Sequence, residues 1–234
     1  MKLKKALAAV LSTAMIVTSL PTAAFAAEEE PYRFLMVSDT HVKGDENDTS
    51  TVKFRNILEK ATKTEKMNTV VVVGDCVDGY VDEDTRTAQY KCFEKLIQSS
   101  DVTLYAIPGN HEMSLKKALG NSKYEDIEGY TTEIAANQFR QMLAACAAND
   151  TEKDEDLCFS TDIGEGENKI RVIGLGDEKL TNFKRTDEKL AWLEKELLDA
   201  VEKNGMERPI FVCMHGGFEN TVGGTKNWYA QRTP

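Results

Sequence analysis

The sequence predicts an α/β domain, and three observations carry that prediction. Four apolar, β-rich runs stand along the chain: "RFLMV" (33–37), "TVVVV" (69–73), "TLYAI" (103–107) and "IFVCM" (210–214). They are continuous rather than alternating, as expected of strands covered on both faces. Amphipathic helical patterns separate the first three, and strand–helix–strand connections of this kind imply parallel pairing through crossovers. No repeat, low-complexity stretch or linker interrupts residues 27–234, which read as one domain of 208 residues, long enough to bury a real core.

The elements follow in order. "MKLKKALAAVLSTAMIVTSLPTAAFA" (1–26) begins with Lys2, Lys4 and Lys5, continues through an apolar run from Ala6 to Leu20 and ends in Ala24-Phe25-Ala26. A basic start, a short apolar run and a small-x-small site predict a secretory signal peptide, hence an exported protein, secreted or at the cell surface, with no membrane span after cleavage. After the first strand, Phe54, Ile57, Leu58 and Ala61 share one helical face; after the second, Cys92, Phe93, Leu96 and Ile97 do the same. Residues 131–148 predict a third helix, and the acidic "NDTEKDED" after it lacks the turn glycine of a calcium loop, so it reads as solvated loop. "LCFSTDI" and "KIRVIGL", joined by "GEGEN", predict a hairpin. A last helix over 186–205 has Thr186 as N-cap, Leu190, Leu193, Leu197 and Val201 on one stripe, and Gly205 at its end.

Composition narrows the function. The formal net charge is −10, and loss of the three leader lysines with no acids moves it to −13. Such a surface repels polyanions and argues against nucleic acid as a stable partner. A small phosphorylated substrate remains compatible, because a bound metal can dominate the local field. The five cysteines are odd in number, widely spaced and without C-x-x-C, so they predict no disulfide framework. Cys76 and Cys213 lie on or beside apolar runs and read as small buried hydrophobes.

The chemistry gathers where the four runs end. They are followed by Ser38-Asp39-Thr40-His41, by Gly74-Asp75-Cys76-Val77-Asp78, by Pro108-Gly109-Asn110-His111-Glu112 and by His215-Gly216-Gly217. Ligands of α/β sheets bind outside the carboxyl ends of strands, so these tips should converge. All three histidines of the chain stand there. Asp39 and Asp75 are 36 residues apart and Asp75 and Asn110 are 35 apart, each about one strand–helix–strand unit.

"SDTH", "GDCVD", "GNHE" and "MHGG" resemble the ordered blocks of the calcineurin-like metallophosphoesterases, over essentially all of residues 27–234. The resemblance implies two packed mixed β-sheets flanked by helices, an αββα sandwich, with a two-metal site at the strand ends. It further implies metal-dependent hydrolysis of phosphate esters through a bridging hydroxide. By that resemblance, Asp39 and His41 serve one ion, Asp75 bridges two, and Asn110 and His215 serve the second. His111 is the catalytic histidine and Asp78 the carboxylate that orients it. Mixed nitrogen and oxygen ligation without thiolate suits two divalent or trivalent ions such as Mn, Fe or Zn.

Two departures qualify the resemblance. Family members carry a further Gly-His-x-His block after another strand, and no histidine follows His215 here. The expectation is a C-terminally incomplete domain that lacks its last strand and keeps three protein ligands per ion. The alternative function is accordingly an exported, catalytically impaired metal- or ligand-binding protein of the same fold. In addition, Asp78 is followed by Gly79-Tyr80, where the protein serine/threonine phosphatases of the superfamily carry Arg-Gly. That disfavours a phosphoprotein substrate and leaves nucleotides, sugar phosphates and glycerophosphodiesters open.

Overall fold

A computed structural model describes residues 31–148, 157–176, 187–218 and 229–230. The leader, the acidic run 149–156 and the Thr186 cap lie outside the described residues. No described helix is long and apolar enough to cross a membrane.

The first sheet is built from β1 (Leu35–Val37), β2 (Thr69–Val73) and β3 (Thr103–Ile107), parallel and in the order β1-β2-β3. The helices α1 (Thr49–Glu59) and α2 (Glu83–Gln98) make the two crossovers, and α1 runs on into one π turn, Lys60–Thr64. Asp48 caps α1 by accepting from Ser50 N at 2.9 Å, and Asp82 caps α2 by accepting from Thr85 N at 2.9 Å. An exposed antiparallel hairpin follows, β4 (Lys116–Gly120) with β5 (Lys123–Asp126), and then α3 (Thr132–Ala145), capped by Thr131.

The second sheet contains β6 (Phe159–Ile163), β7 (Ile170–Leu175) and β8 (Ile210–Met214). β6 and β7 form the predicted antiparallel hairpin, and β8 joins β7 in parallel after α4 (Asp187–Asn204). A short parallel pair, β9 (Gly217–Phe218) with β10 (Tyr229–Ala230), follows β8.

The continuous apolar run of β2 explains the layering. Side chains alternate across a strand, so Val70 and Val72 face α1, α2 and α3, where they join Phe54, Leu58, Phe93, Phe139 and Met142. Val71 and Val73 face the other way and pack with Ile107 against Phe159, Val172 and Cys213 of the second sheet. Stacked Tyr105 and Phe159 rings, 5.5 Å apart, cross the same interface. The architecture is thus a mixed α/β fold of two packed sheets with helices outside.

α4 departs from its sequence pattern. Leu190 and Val201 of the expected stripe are exposed, whereas Lys189 and Ala200 are buried. Leu193 and Leu197 of the same stripe are half-buried, and charged contacts to β7 stand beside them. Arg171 donates to Asp162 Oδ1 at 2.6 Å and to Asp199 Oδ2 at 3.1 Å, with Glu196 at 3.7 Å. Among the described residues, β8 ends its sheet, and Phe211 and Val212 on it are partly exposed.

Candidate metal centre

The predicted strand tips meet. Asp39, His41, Asp75, Asn110, His111, His215 and Gly216 line one cleft of about 270 Å³ at the carboxyl ends of the strands. The segment after β1 continues alongside the one after β2 through backbone bonds from Asp39 N to Gly74 O (3.1 Å), His41 N to Asp75 O (3.0 Å) and Val42 N to Cys76 O (2.9 Å). Three residues of this pair of loops, Asp39, His41 and Asp75, hold φ of 55°, 45° and 51°. A side chain in that left-handed region costs of order 1–3 kcal/mol. Seven described non-glycine residues outside the candidate ligands, among them Lys66 and Asp101, share that conformation, but only here do three candidate ligands hold it side by side.

The centre is organised about one oxygen. Asp75 Oδ2 lies 3.3 Å from His215 Nε2, 3.7 Å from His111 Nε2 and 4.0 Å from His41 Nε2. Its other oxygen, Oδ1, accepts from the backbone N–H of His111 at 3.0 Å. Every histidine of the chain therefore turns a ring nitrogen toward one buried carboxylate. Burial opposes charge on Asp75, yet the hydrogen bond and charge of His215, with those of His111, hold its carboxyl below the usual range.

Hydrogen bonds on the far side of two rings fix which nitrogen faces the cleft. His215 Nδ1 donates to Val73 O at 3.0 Å, leaving Nε2 to face Asp75 and, at 3.1 Å, Asn110 Oδ1. A carbonyl behind an imidazole is the usual support of a metal-binding histidine. Without a cation, a proton must stand between these acceptors. Although burial opposes it, Asp75 and the Val73 carbonyl push the His215 imidazole up to about 9. His111 Nδ1 is likewise bonded to the carbonyl of Asp78. The His111 ring thus meets the backbone carbonyl of Asp78, where its carboxylate is expected from the sequence. The Asp78 carboxylate instead falls with His41 and His111 into a group whose donor atoms lie within 4.8 Å of one another.

A second such group comprises Asp39, Asp75 and His215. His41 Nε2 is also 3.7 Å from Asp39 Oδ1, the pair expected to share an ion. The donor set fits a cation well. Ligands about 2.1 Å from a metal lie roughly 3.0–3.4 Å from each other; His215 and Asp75 stand at that separation and the other two histidines slightly beyond it. The buried Nδ1 of His41 has no hydrogen-bond partner. Cys76 supplies no thiolate, because it is fully buried and burial pushes its thiol well above the usual range.

Asn110 completes the ring through its amide. Nδ2 donates to Tyr80 Oη at 3.4 Å and Oδ1 points to His215. The Tyr80 ring meets His111 edge-on, 4.7 Å between centroids, and His111 meets His41 in the same manner at 4.4 Å. Two glycines make the close approach feasible. A Cβ on Gly74 would stand 2.4 Å from His215 Nδ1, and one on Gly109 would stand 2.1 Å from Asp75 Oδ1.

Sequence reasoning did not assign Glu112 or Arg86. Glu112 is fully buried and accepts from Asp75 N (2.9 Å), Val77 N (2.9 Å) and Gly109 N (2.7 Å). Burial and the neighbouring Asp75 charge push its carboxyl up. Arg86, also fully buried, donates to the carbonyls of Glu112 (2.7 Å) and Ser114 (2.8 Å) and lies over the Tyr130 ring at 4.9 Å. "GNHE" contains Glu112, but its partners are backbone groups that leave no trace in side-chain spacing.

A profile of the calcineurin-like phosphoesterase family matches residues 32–232, and the chain belongs to that family. No curated protein matches the chain. Membership carries metal-dependent phosphoester hydrolysis as the family's activity, and the clustered carboxylates and imidazoles supply candidate metal ligands.

Proposed function

We propose that this chain hydrolyses esters of phosphate on small substrates, using two metal ions bound around Asp75. The observation that carries the reading is the convergence of His41, His111 and His215 on Asp75 Oδ2. Asp39, His41, Asp75, Asn110 and His215 would hold the ions, with Asp75 shared between them. Mn, Fe and Zn suit this oxygen and imidazole set. When bound, such ions neutralise phosphoryl charge and acidify a water.

The chain's own residues supply the rest. Its position at the cleft wall lets His111 present Nε2 to the leaving oxygen, while the Asp78 carbonyl keeps the proton of the neutral ring on Nδ1. A protonated His111 can then donate from Nε2 to the departing alkoxide, or hydrogen-bond a phosphoryl oxygen. Asn110 presents Oδ1 toward the centre because Tyr80 takes its amide N–H. Export of the protein, as the leader predicts, would place this activity outside the cytoplasm.

The test is turnover of a chromogenic phosphate monoester and a diester by the full chain with Mn, Fe or Zn. Metal-dependent hydrolysis of either supports the reading. Metal binding without turnover of either would favour the binding-protein alternative.

A further inference from the structure

The Asp75 and Gly109 loops come from different strands, yet their ligands must stand within a few tenths of an ångström of a shared geometry to hold a metal. One side chain links them. Glu112 reaches from the end of the Gly109 loop to accept from Gly109 N and Asp75 N with Oε2 and from Val77 N with Oε1. It is fully buried and is not among the residues lining the cleft. Arg86 leaves that carboxylate alone and grips the carbonyls of Glu112 and Ser114, which fixes the backbone that carries it.

We propose that Glu112 is a positioning residue that locks the Asp75–Val77 and Gly109–His111 loops into one register, so that metal affinity depends on a side chain no ion touches. The inference rests on the metal-centre reading above. Its chemistry requires a carboxylate. Three N–H donors converge on two oxygens, and a carboxylate accepts at both while an amide accepts at only one. In Glu112→Gln, Oε1 placed at the doubly bonded position keeps Asp75 N and Gly109 N. The amide nitrogen then faces the Val77 N–H, donor against donor, at a fully buried position. The Asp75 loop must move to escape, and Asp75 carries the oxygen on which the three histidines converge.

The experiment is an equilibrium Mn²⁺ titration of the full chain, comparing wild type, Glu112→Gln and Leu58→Ala. Leu58 is fully buried in α1 and its apolar side chain makes none of the hydrogen bonds that join the two loops, so it serves as a control for lost stability. Glu112→Gln is expected to weaken Mn²⁺ binding about 10–100-fold. Leu58→Ala should lower the melting temperature as much or more while leaving affinity within about twofold. Equal affinity in Glu112→Gln and wild type overturns the proposal.

Amide exchange on metal-free wild type provides the second measurement, independent of whether the variant folds. The N–H groups of Asp75, Val77 and Gly109 should be protected to the level of β2, and exchange at open-loop rates overturns the proposal. A wild type that binds no Mn²⁺ would refute the metal centre itself, and the exchange result would still judge the clamp.

Discussion

Replacing Gly74 by alanine tests how His215 is held. Gly74 has φ of +78°, where an L side chain costs about 1–2 kcal/mol. The added Cβ would stand 2.4 Å from Nδ1, 2.5 Å from Cγ and 2.8 Å from Cβ of His215. Ordinary carbon contacts begin at about 3.5 Å, so the imidazole must retreat by about 1 Å. That displacement breaks the 3.0 Å bond to Val73 O, a loss of about 0.5–1.5 kcal/mol. The metal-free protein should therefore lose about 2–3 kcal/mol, read as a lower urea midpoint at unchanged slope. With its supporting carbonyl gone, His215 should bind metal about 10–100-fold more weakly. An unchanged midpoint together with unchanged Mn²⁺ affinity would refute the placement of His215 against the β2 terminus.

Three further outcomes follow from the same geometry. Asp75→Asn should abolish binding of both ions together, measured as metal content after dialysis, because the shared carboxylate becomes a neutral amide; retention of either ion at full occupancy would contradict its shared role. His111→Ala should lower turnover about 10²–10⁴-fold with metal still bound, whereas loss of metal alongside activity would make His111 a ligand with His41 and Asp78. The apparent Mn²⁺ affinity should rise about tenfold per pH unit from 7 and level off near 9, since metal displaces the proton that His215 retains up to about 9. The same raised value means that His215 stabilises the metal-free fold fully below about 6.5, and that this contribution is lost as pH rises through about 9. Calorimetry across that window, with and without Mn²⁺, separates the two effects.

Strands and site were legible for a common reason. A strand covered on both faces must be apolar at every position, and β2 is buried along its whole length. β3 and β8 also fall at their predicted bounds, although Phe211 and Val212 of β8 are exposed, and β1 is trimmed to Leu35–Val37. Each polar residue past such a run is a weak signal alone. The four blocks in order, with all three histidines among them and their resemblance to the family, are why Asp39, His41, Asp75, Asn110, His111 and His215 could be named before their contacts were known. Backbone partners left no such signal. Glu112 binds three N–H groups, and Asp78 acts on His111 through its carbonyl. Left-handed Asp39, His41 and Asp75 were equally hidden, because none is the glycine that usually marks that conformation. In α4 the leucine periodicity located the helix but not its contacts: Leu190 and Val201 are exposed, Leu193 and Leu197 are half-buried, and Arg171 meets Asp199 and Glu196 of the helix.

The central claim is a dinuclear centre built on Asp75. The most direct test is anomalous diffraction from a crystal of the protein loaded with Mn²⁺. The account predicts two peaks in the cleft about 3.5–4 Å apart, both within bonding distance of the Asp75 carboxylate, one beside His41 and one beside His215. A single peak, or two peaks that do not share Asp75, would contradict it.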